Sequence, residues 1–444
     1  MASPVAEFRE DLTHLLVVLD GLGDRPHPAT EGKSPVESAS TPNLDHLTAM
    51  GDAGELTVLG PGTAPESDAG VFALLGYDPV KDSPGRGVLE ALGCGIDLLP
   101  GDVALRLNFA TVDGDGSVVD ARVGRSLTTA EAVELARALT EGRLLEAEGI
   151  DAEVRSTVGH RGVLWLRPRG GGALSPSVSN ADPFYEKVGG MGRALRPEHP
   201  RIETVRPLEP SPSATRTARA INLFLERSVP LLASHRLNAR RALAGRKLAN
   251  GLLLRNAGAL VTGSPQPFSA KYGIAGGALT EMPVERGIAR VLGLEDHYVG
   301  PMTGDRDIGY GERARAVRGL VGRLPFLYVH LKGPDEPAHD GDALRKKEVV
   351  EAIDRSFFGP LVEGLDLSKV RLCVTADHAT PCIVGGHSDD PVPWILVGQG
   401  VTVPPRTAPI KFGAPPAGAS ASGPRHAADV LPILLGRVRA TSAT

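Results

Sequence analysis

Val370-Arg371-Leu372-Cys373-Val374-Thr375-Ala376-Asp377-His378-Ala379-Thr380-Pro381-Cys382 is the run on which the fold turns. Its first six residues are short and β-branched enough to predict a buried strand. The run then breaks into a tight polar turn carrying Asp377 and His378, with His387 close behind in Gly386-His387-Ser388-Asp389-Asp390. Open α/β sheets collect their chemistry beyond the carboxyl ends of their strands. An isolated Asp-His pair on a loop is more often structural, so companions elsewhere in the chain decide its meaning.

Two such companions stand out. Leu15-Leu16-Val17-Val18-Leu19 predicts a buried parallel strand running straight into Asp20-Gly21-Leu22-Gly23-Asp24, so Asp20 sits at a strand's carboxyl end. Taken alone, Asp20 is equally a turn-forming residue before glycine. Pro325-Phe326-Leu327-Tyr328-Val329-His330-Leu331 predicts a third strand, followed by Lys332-Gly333-Pro334-Asp335 and, four residues on, His339. That spacing lets a helical turn bring Asp335 and His339 onto one metal. Three aspartates from separate strands and three histidines exceed the needs of one tetrahedral ion, which points to a two-metal site. Mixed carboxylate and imidazole donors suit Mn²⁺ or Zn²⁺, with Mg²⁺ as a further candidate.

Between these strands, Ser67 opens a short apolar helix, Val71-Phe72-Ala73-Leu74-Leu75. A serine there is ordinarily a cap, but a helix amino terminus also favours a phosphate. Thr41-Pro42 predicts another helix start, ending near Gly51. From about residue 123 the character changes. Thr128 and Glu131 form a capping-box signature, followed by short strand-like runs and an arginine-dense helical stretch. The α/β pattern resumes near Leu252-Leu253-Leu254. The expected organisation is a discontinuous metal-binding domain, 1–122 and 253–444, with a smaller inserted α+β domain at 123–252 that binds substrate and acts as a lid. Residues 404–423 predict a loop before a terminal helix.

With 444 residues, two domains are the natural expectation. A net charge of −5 argues against a nucleic-acid partner, and no apolar run is long enough to span a membrane. The chain begins with polar residues and no signal-peptide order, and its three cysteines lack C-x-x-C spacing. A reducing cytoplasm is expected. Oligomeric state is not readable from these features.

At this density the motifs carry a resemblance. Asp20-Gly21-Leu22-Gly23-Asp24, Thr41-Pro42-Asn43-Leu44-Asp45, Pro65-Glu66-Ser67-Asp68, Gly85-Arg86-Gly87, Asn108-Phe109-Ala110-Thr111-Val112-Asp113, Gly159-His160-Arg161, Asn250-Gly251-Leu252-Leu253-Leu254-Arg255, Lys332-Gly333-Pro334-Asp335 and the Asp377-His378 run follow one another in the order of a known family. The chain resembles the cofactor-independent phosphoglycerate mutases of archaeal type, within the alkaline phosphatase superfamily. That resemblance implies an alkaline-phosphatase-like, mostly parallel sheet flanked by helices. It implies Ser67 as nucleophile, becoming a phosphoserine, with Asp68 beside it to orient water or substrate. Asp20, Asp377 and His378 would hold one divalent ion beside Ser67, and Asp335, His339 and His387 the other. His160, Arg161, Arg241, Arg255 and Lys271 match substrate-binding positions, where planar guanidinium groups suit phosphate and carboxylate. The substrate implied is a small phosphorylated compound, 3-phosphoglycerate, exchanged with 2-phosphoglycerate without bisphosphoglycerate.

Two departures bear on substrate. Asp182-Pro183-Phe184 stands where the family commonly has Asp-Pro-His, and Ala338 where glycine is frequent. A phosphomutase for a sugar or cyclitol phosphate and a metal-dependent phosphatase are therefore the alternatives. A non-catalytic binding module has no need of a nucleophile beside two ions.

Overall fold

The structure is a computed structural model describing residues 12–170, 172–188, 191–195, 197–302, 304–404, 410–414 and 425–437. The first residues of the chain and most of the loop expected over 404–423 lie outside them. The terminal helix is present as Ala427–Leu434.

The chain forms two compact units, Met1–Asp82 with Gln266–Thr444, and Ser83–Pro265. In chain order its strands are β1 (Thr13–Leu19), β2 (Asp52–Leu56), β3 (Val103–Val112), β4 (Val118–Asp120), β5 (Ile150–Ser156), β6 (Arg161–Pro168), β7 (Tyr185–Val188), β8 (Met191–Ala194), β9 (Gly251–Gly258), β10 (Gly276–Thr280), β11 (Glu295–Tyr298), β12 (Phe326–Leu331), β13 (Val370–Thr375) and β14 (Val392–Gly398).

The larger unit is built on a seven-stranded sheet in the order β11-β10-β12-β1-β13-β14-β2. β1 is buried at every position, as continuous Leu and Val runs are when helices cover both faces of a parallel sheet. It pairs in parallel with β12 on one side and β13 on the other, with Leu19 level with Leu331 and Val18 level with Thr375. Asp20, the turn at Lys332–Asp335 and Asp377 therefore leave the sheet along one edge. β14 and β2 close the far side by antiparallel pairing, so the sheet is mostly parallel.

Ser67 begins the helix Ser67–Leu74, all of whose residues are buried, and Glu66 takes the cap position. Ser67 is thus inside the first turn and not the cap. The helix presses on the Asp377 loop: a Cβ added at Gly70 would lie 2.0 Å from the Asp377 carbonyl oxygen, so only glycine lets the two approach.

A second brace comes from Lys346 on the helix Ala343–Ile353, whose ammonium is wholly buried. It donates to the carbonyls of Gly21 (2.9 Å), Gly23 (3.2 Å) and Thr380 (3.0 Å) and lies 2.9 Å from Asp24 Oδ2. One cation so ties the loop after β1 to the loop after β13.

The second unit holds an antiparallel sheet, β4-β3-β6-β5 with β9 also on β3. One face, with Leu105, Leu107, Phe109, Leu164, Leu252 and Leu254, packs on Leu135, Leu139, Ile221 and Phe224 of the helices Thr129–Glu141 and Pro212–Ala233. The capping box at Thr128 and Glu131 forms with both hydrogen bonds present. The inserted unit spans 83–265 and not the expected 123–252. The reason is strand pairing: β3, assigned by sequence to the outer domain, pairs with β6 of the insert, from Val103 opposite Leu166 to Asn108 opposite Arg161, and β9, assigned there from residue 253 onward, pairs with β3 in turn.

Replacing Lys346 by Met leaves the buried Asp24 carboxylate uncompensated and should cost roughly 3–5 kcal/mol. Thermal unfolding of Lys346→Met should fall well below wild type, and adding Asp24→Asn should recover part of the loss. An unchanged melting temperature would contradict the brace.

Candidate metal centre and phosphoryl-transfer site

At the edge defined by β12, β1 and β13, six ligand-type residues form two groups, Asp20–Asp377–His378 and Asp335–His339–His387, with ligand atoms in each within 4.8 Å of one another. In the first, His378 Nε2 is 3.5 Å from Asp20 Oδ1 and 3.4 Å from Asp377 Oδ2. Ser67 Oγ lies 3.2 Å from His378 Nε2 and 3.4 Å from Asp20 Oδ1. In the second, Asp335 and His339 share one helical turn, with His339 Nε2 3.5 Å from Asp335 Oδ2 and His387 Nε2 3.6 Å from Asp335 Oδ1. The rings of His378 and His387 stack at 3.8 Å between centroids, which sets the groups side by side.

Every histidine is oriented through its other nitrogen. His339 Nδ1 reaches the Gly385 carbonyl (3.2 Å) and His387 Nδ1 the Pro65 carbonyl (2.8 Å), and a carbonyl can only accept. His378 Nδ1 is 3.0 Å from the Thr380 hydroxyl, which itself donates to Asp335 Oδ1 at 2.8 Å. Each Nδ1 therefore donates, and each Nε2 is turned toward the carboxylates, the orientation of metal-ligating histidines. The Gly21 amide holds Asp377 Oδ1 at 3.1 Å, while Asp377 Oδ2 is buried with no hydrogen-bond partner. An orphaned carboxylate oxygen facing two further donors fits a cation.

The electrostatics agree. Burial pushes the Asp20 carboxyl up, but Lys332, His330 and His378 outweigh it and hold the group well below the usual carboxylate range. Asp335 is likewise held low against its own burial and Asp20, through His387 and His378. Burial lowers His378, yet Asp377, Asp20 and Asp335 reverse this and raise it.

Three members of this network escaped sequence reading. His330 Nε2 lies 3.5 Å from Asp377 Oδ2 and 3.7 Å from Asp20 Oδ1, with its Nδ1 2.9 Å from the Tyr328 hydroxyl. Lys332 Nζ is 3.2 Å from Asp20 Oδ2 and 2.8 Å from Glu285 Oε1, itself fully buried. The signal was present: Tyr328, His330 and Lys332 alternate on one face of an otherwise apolar run, and polar groups in a buried strand require partners.

Arg161 and Arg255 lie on the second unit's other sheet face. Asn108 of β3 pairs with Arg161, and Arg106 with Arg255. Alternation puts these four on the face opposite the apolar core. Arg255 is buried, ion-paired with Asp182, and stacked 4.2 Å from the Tyr185 ring. Arg86 and Arg106 share Glu90, each at 3.2 Å. Burial pushes the Arg106 guanidinium down to about 9 even with Glu90 beside it, and Arg86, Arg255 and Arg161 add to the crowding. Burial, with Arg161, Arg122, Arg106 and Arg255 around it, holds His160 down at about 3. Arg86 and Arg106 belong to this cationic group although sequence reasoning left them out. Phe184 packs against the small apolar cluster of Ala110, Val112, Val118 and Leu253. Ala338 fills a similar cluster with Ala343 and Cys382.

Two further expected substrate ligands are engaged by the protein itself. Arg241 is buried as a structural cation, with Nη1 2.9 Å from Glu131 Oε2, Nη2 on Ser126 Oγ and Nε on the Lys247 carbonyl. Lys271 donates to the Gly76 carbonyl and lies over the Tyr77 ring at 4.0 Å. It serves the carboxyl-terminal end of the helix that Ser67 begins, about 12 Å away at 1.5 Å per residue. Asp68 is buried beside Ser67 in the first turn of that helix, where an acid suits the dipole.

Among solved structures, the fold matches the PH0037 protein of Pyrococcus horikoshii with a TM-score of 0.73 and 27% identity, covering 97% of this chain and 99% of that one. It also matches the cofactor-independent phosphoglycerate mutase of Thermoplasma acidophilum, with a TM-score of 0.59, 30% identity, and coverage of 96% and 98%. The class is thus that of the cofactor-independent phosphoglycerate mutase fold, an α/β architecture on a mostly parallel sheet flanked by helices, as the sequence predicts. A family profile described as 2,3-bisphosphoglycerate-independent phosphoglycerate mutase matches residues 48–238. The protein of that name from Aeropyrum pernix is 45% identical over 391 residues, covering 87% of this chain and 91% of the relative. The chain belongs to the family of 2,3-bisphosphoglycerate-independent phosphoglycerate mutases, which are isomerases.

Two measurements follow from this geometry. Burial and Lys332 lower His330, but Asp377 and Asp20 raise it further, to about 9, above its unfolded value near 6.5. The stability this confers is complete below pH about 6.5 and lost as pH rises through about 9. The metal-free protein should lose melting temperature across that window, and His330→Gln should remove this part of the loss. Arg241→Lys should lower thermal stability through the lost guanidinium bonds to Glu131 and Ser126 while leaving KM for substrate unchanged; a raised KM at unchanged stability would make Arg241 a substrate ligand.

Proposed function

We propose that this chain interconverts 3-phosphoglycerate and 2-phosphoglycerate through a phosphoserine at Ser67. The observation that carries this reading is the Ser67 hydroxyl inside the first turn of a buried helix, 3.2 Å from His378 Nε2 and 3.4 Å from Asp20 Oδ1. Family membership supports the same substrate.

Asp20, Asp377, His378 and Ser67 would hold one divalent ion and Asp335, His339 and His387 a second, Mn²⁺ or Zn²⁺ by donor type, with Mg²⁺ a further candidate. Bound there, such ions supply positive charge for the phosphoryl oxygens and favour the serine alkoxide. The chain's own residues do the rest. Ser67 Oγ attacks the phosphorus, the bond to the 3-oxygen breaks, and the serine proton ends on that oxygen. The 2-hydroxyl of the same glycerate then attacks the phosphorus, the bond to Ser67 Oγ breaks, and the hydroxyl proton ends on Ser67 Oγ. The head of the helix offers backbone N–H groups to the phosphoserine. Lys332, fixed by Glu285, sets a further cation beside Asp20.

The inserted unit is assigned the substrate's remaining anionic groups, through Arg161, Arg255 and His160 with Arg86 and Arg106 beside them. It would also serve as the lid that keeps water from the phosphoserine. The phosphoglycerate reading gains over a sugar or cyclitol phosphate because Phe184 is engaged in an apolar cluster and the nearby cations remain numerous. The reaction would run in the cytoplasm, without bisphosphoglycerate.

Intact-mass analysis after mixing with 3-phosphoglycerate should show one added phosphoryl group on Ser67 and none in Ser67→Ala. An enolase-coupled assay should show turnover that chelation abolishes and Mn²⁺ restores. Free phosphate released as fast as substrate disappears would make it a phosphatase. No turnover with phosphoglycerate, but phosphoserine from another phosphorylated alcohol, would move the substrate.

A further inference from the structure

Thr380 lies within the run that decides the fold, and its side chain is wholly buried between the two groups of ligands. Its hydroxyl accepts from His378 Nδ1–H at 3.0 Å and donates to Asp335 Oδ1 at 2.8 Å. The direction is fixed, because an ionised carboxylate only accepts, so the hydroxyl proton points to Asp335 and the imidazole must be the donor. His378 belongs to the first ligand group and Asp335 to the second. The space around the bridge is closed: a Cβ at Gly21 would lie 2.8 Å from Thr380 Oγ1 and 2.7 Å from Asp335 Oδ1. The Thr380 backbone is held separately, by Gly23 and Lys346, so the hydroxyl is free of any tethering duty.

We propose that the Thr380 hydroxyl is a positioning group that couples the two ion sites, so that filling either one strengthens the other. This rests on the two-ion reading above. A cation on His378 Nε2 makes its Nδ1–H a stronger donor, which polarises the hydroxyl and shortens its bond to Asp335. That bond holds Asp335 Oδ1 in place while its remaining lone pair and Oδ2 face His387 and His339. Hydrogen bonds in such chains reinforce one another, and partners that orient metal ligands commonly change affinity by about 10- to 100-fold. Coupling of this kind is reciprocal by linkage.

The test titrates Mn²⁺ alone into the full chain by calorimetry and electron paramagnetic resonance. Wild type should bind two ions. Thr380→Val should weaken both by about 10- to 100-fold, and Thr380→Ser, which keeps the hydroxyl, should restore them. His339→Ala, which disables the second site, should weaken the remaining ion in the wild-type background but add nothing in the T380V background. In metal-free protein, ¹⁵N shifts should show His378 locked as the Nδ1–H tautomer in wild type and T380S, and released in T380V. Should T380V fail to fold, Thr380→Ala carries the same comparisons, with T380S as control. Wild-type affinities in the folded hydroxyl-free variant, or an equal effect of His339→Ala in both backgrounds, overturn the coupling. Absence of any Mn²⁺ binding to wild type overturns the two-ion reading itself.

Discussion

Two carboxylates, Asp20 and Asp377, are buried next to each other where β1 and β13 end. Removing such charges from water costs several kcal/mol each unless cations and donors surround them. Lys332, His330, His378 and the Gly21 amide do this, and each comes from a strand end or its first turn. The parallel register of β12, β1 and β13 is what lets these groups meet. An ion bound there would take over part of the compensation that the protein already provides, and it would meet Asp20 held well below the usual carboxylate range.

The loops bearing these ligands are long in reach but short of freedom. Lys346 binds three of their carbonyls, Gly70 lets the Ser67 helix rest on the Asp377 backbone, and each histidine is turned by an acceptor at Nδ1. Positioning is therefore largely complete in the protein fold itself. That matters for phosphoryl transfer, where catalysis is mostly placement and charge.

How much of this could be read from the sequence follows from what each residue's role depends on. Asp20, Asp335 and Asp377 were legible because a strand followed by a polar turn fixes where a side chain emerges, and parallel neighbours gather such ends. The boundary of the inserted unit was not, since Arg106 and Arg255 lie on strands whose pairing is decided across about 150 residues of chain. Arg241 and Lys271 show a different limit. A cation's position in a motif does not tell whether Glu131 or a helix-end carbonyl will claim it. His330 was hidden for the opposite reason, being read as part of a buried strand when its burial was the clue.

The two units treat negative charge by different means, and the difference suits their tasks. In the larger unit, carboxylates and imidazoles form two groups suited to ions, which on the proposed reading would meet the charge of a phosphoryl group. In the inserted unit, Arg86, Arg106, Arg161 and Arg255 crowd together against Glu90 and Asp182, and burial together with the neighbouring arginines depresses Arg106 to about 9. Four guanidinium groups share two carboxylates there, so positive charge remains in excess. On the proposed reading, a carboxylate or phosphate bound there would offset that excess. Selectivity for a doubly anionic substrate over a neutral sugar alcohol would then come from the fold's own unrelieved charge, because a neutral group offers the arginines nothing in exchange for displaced water.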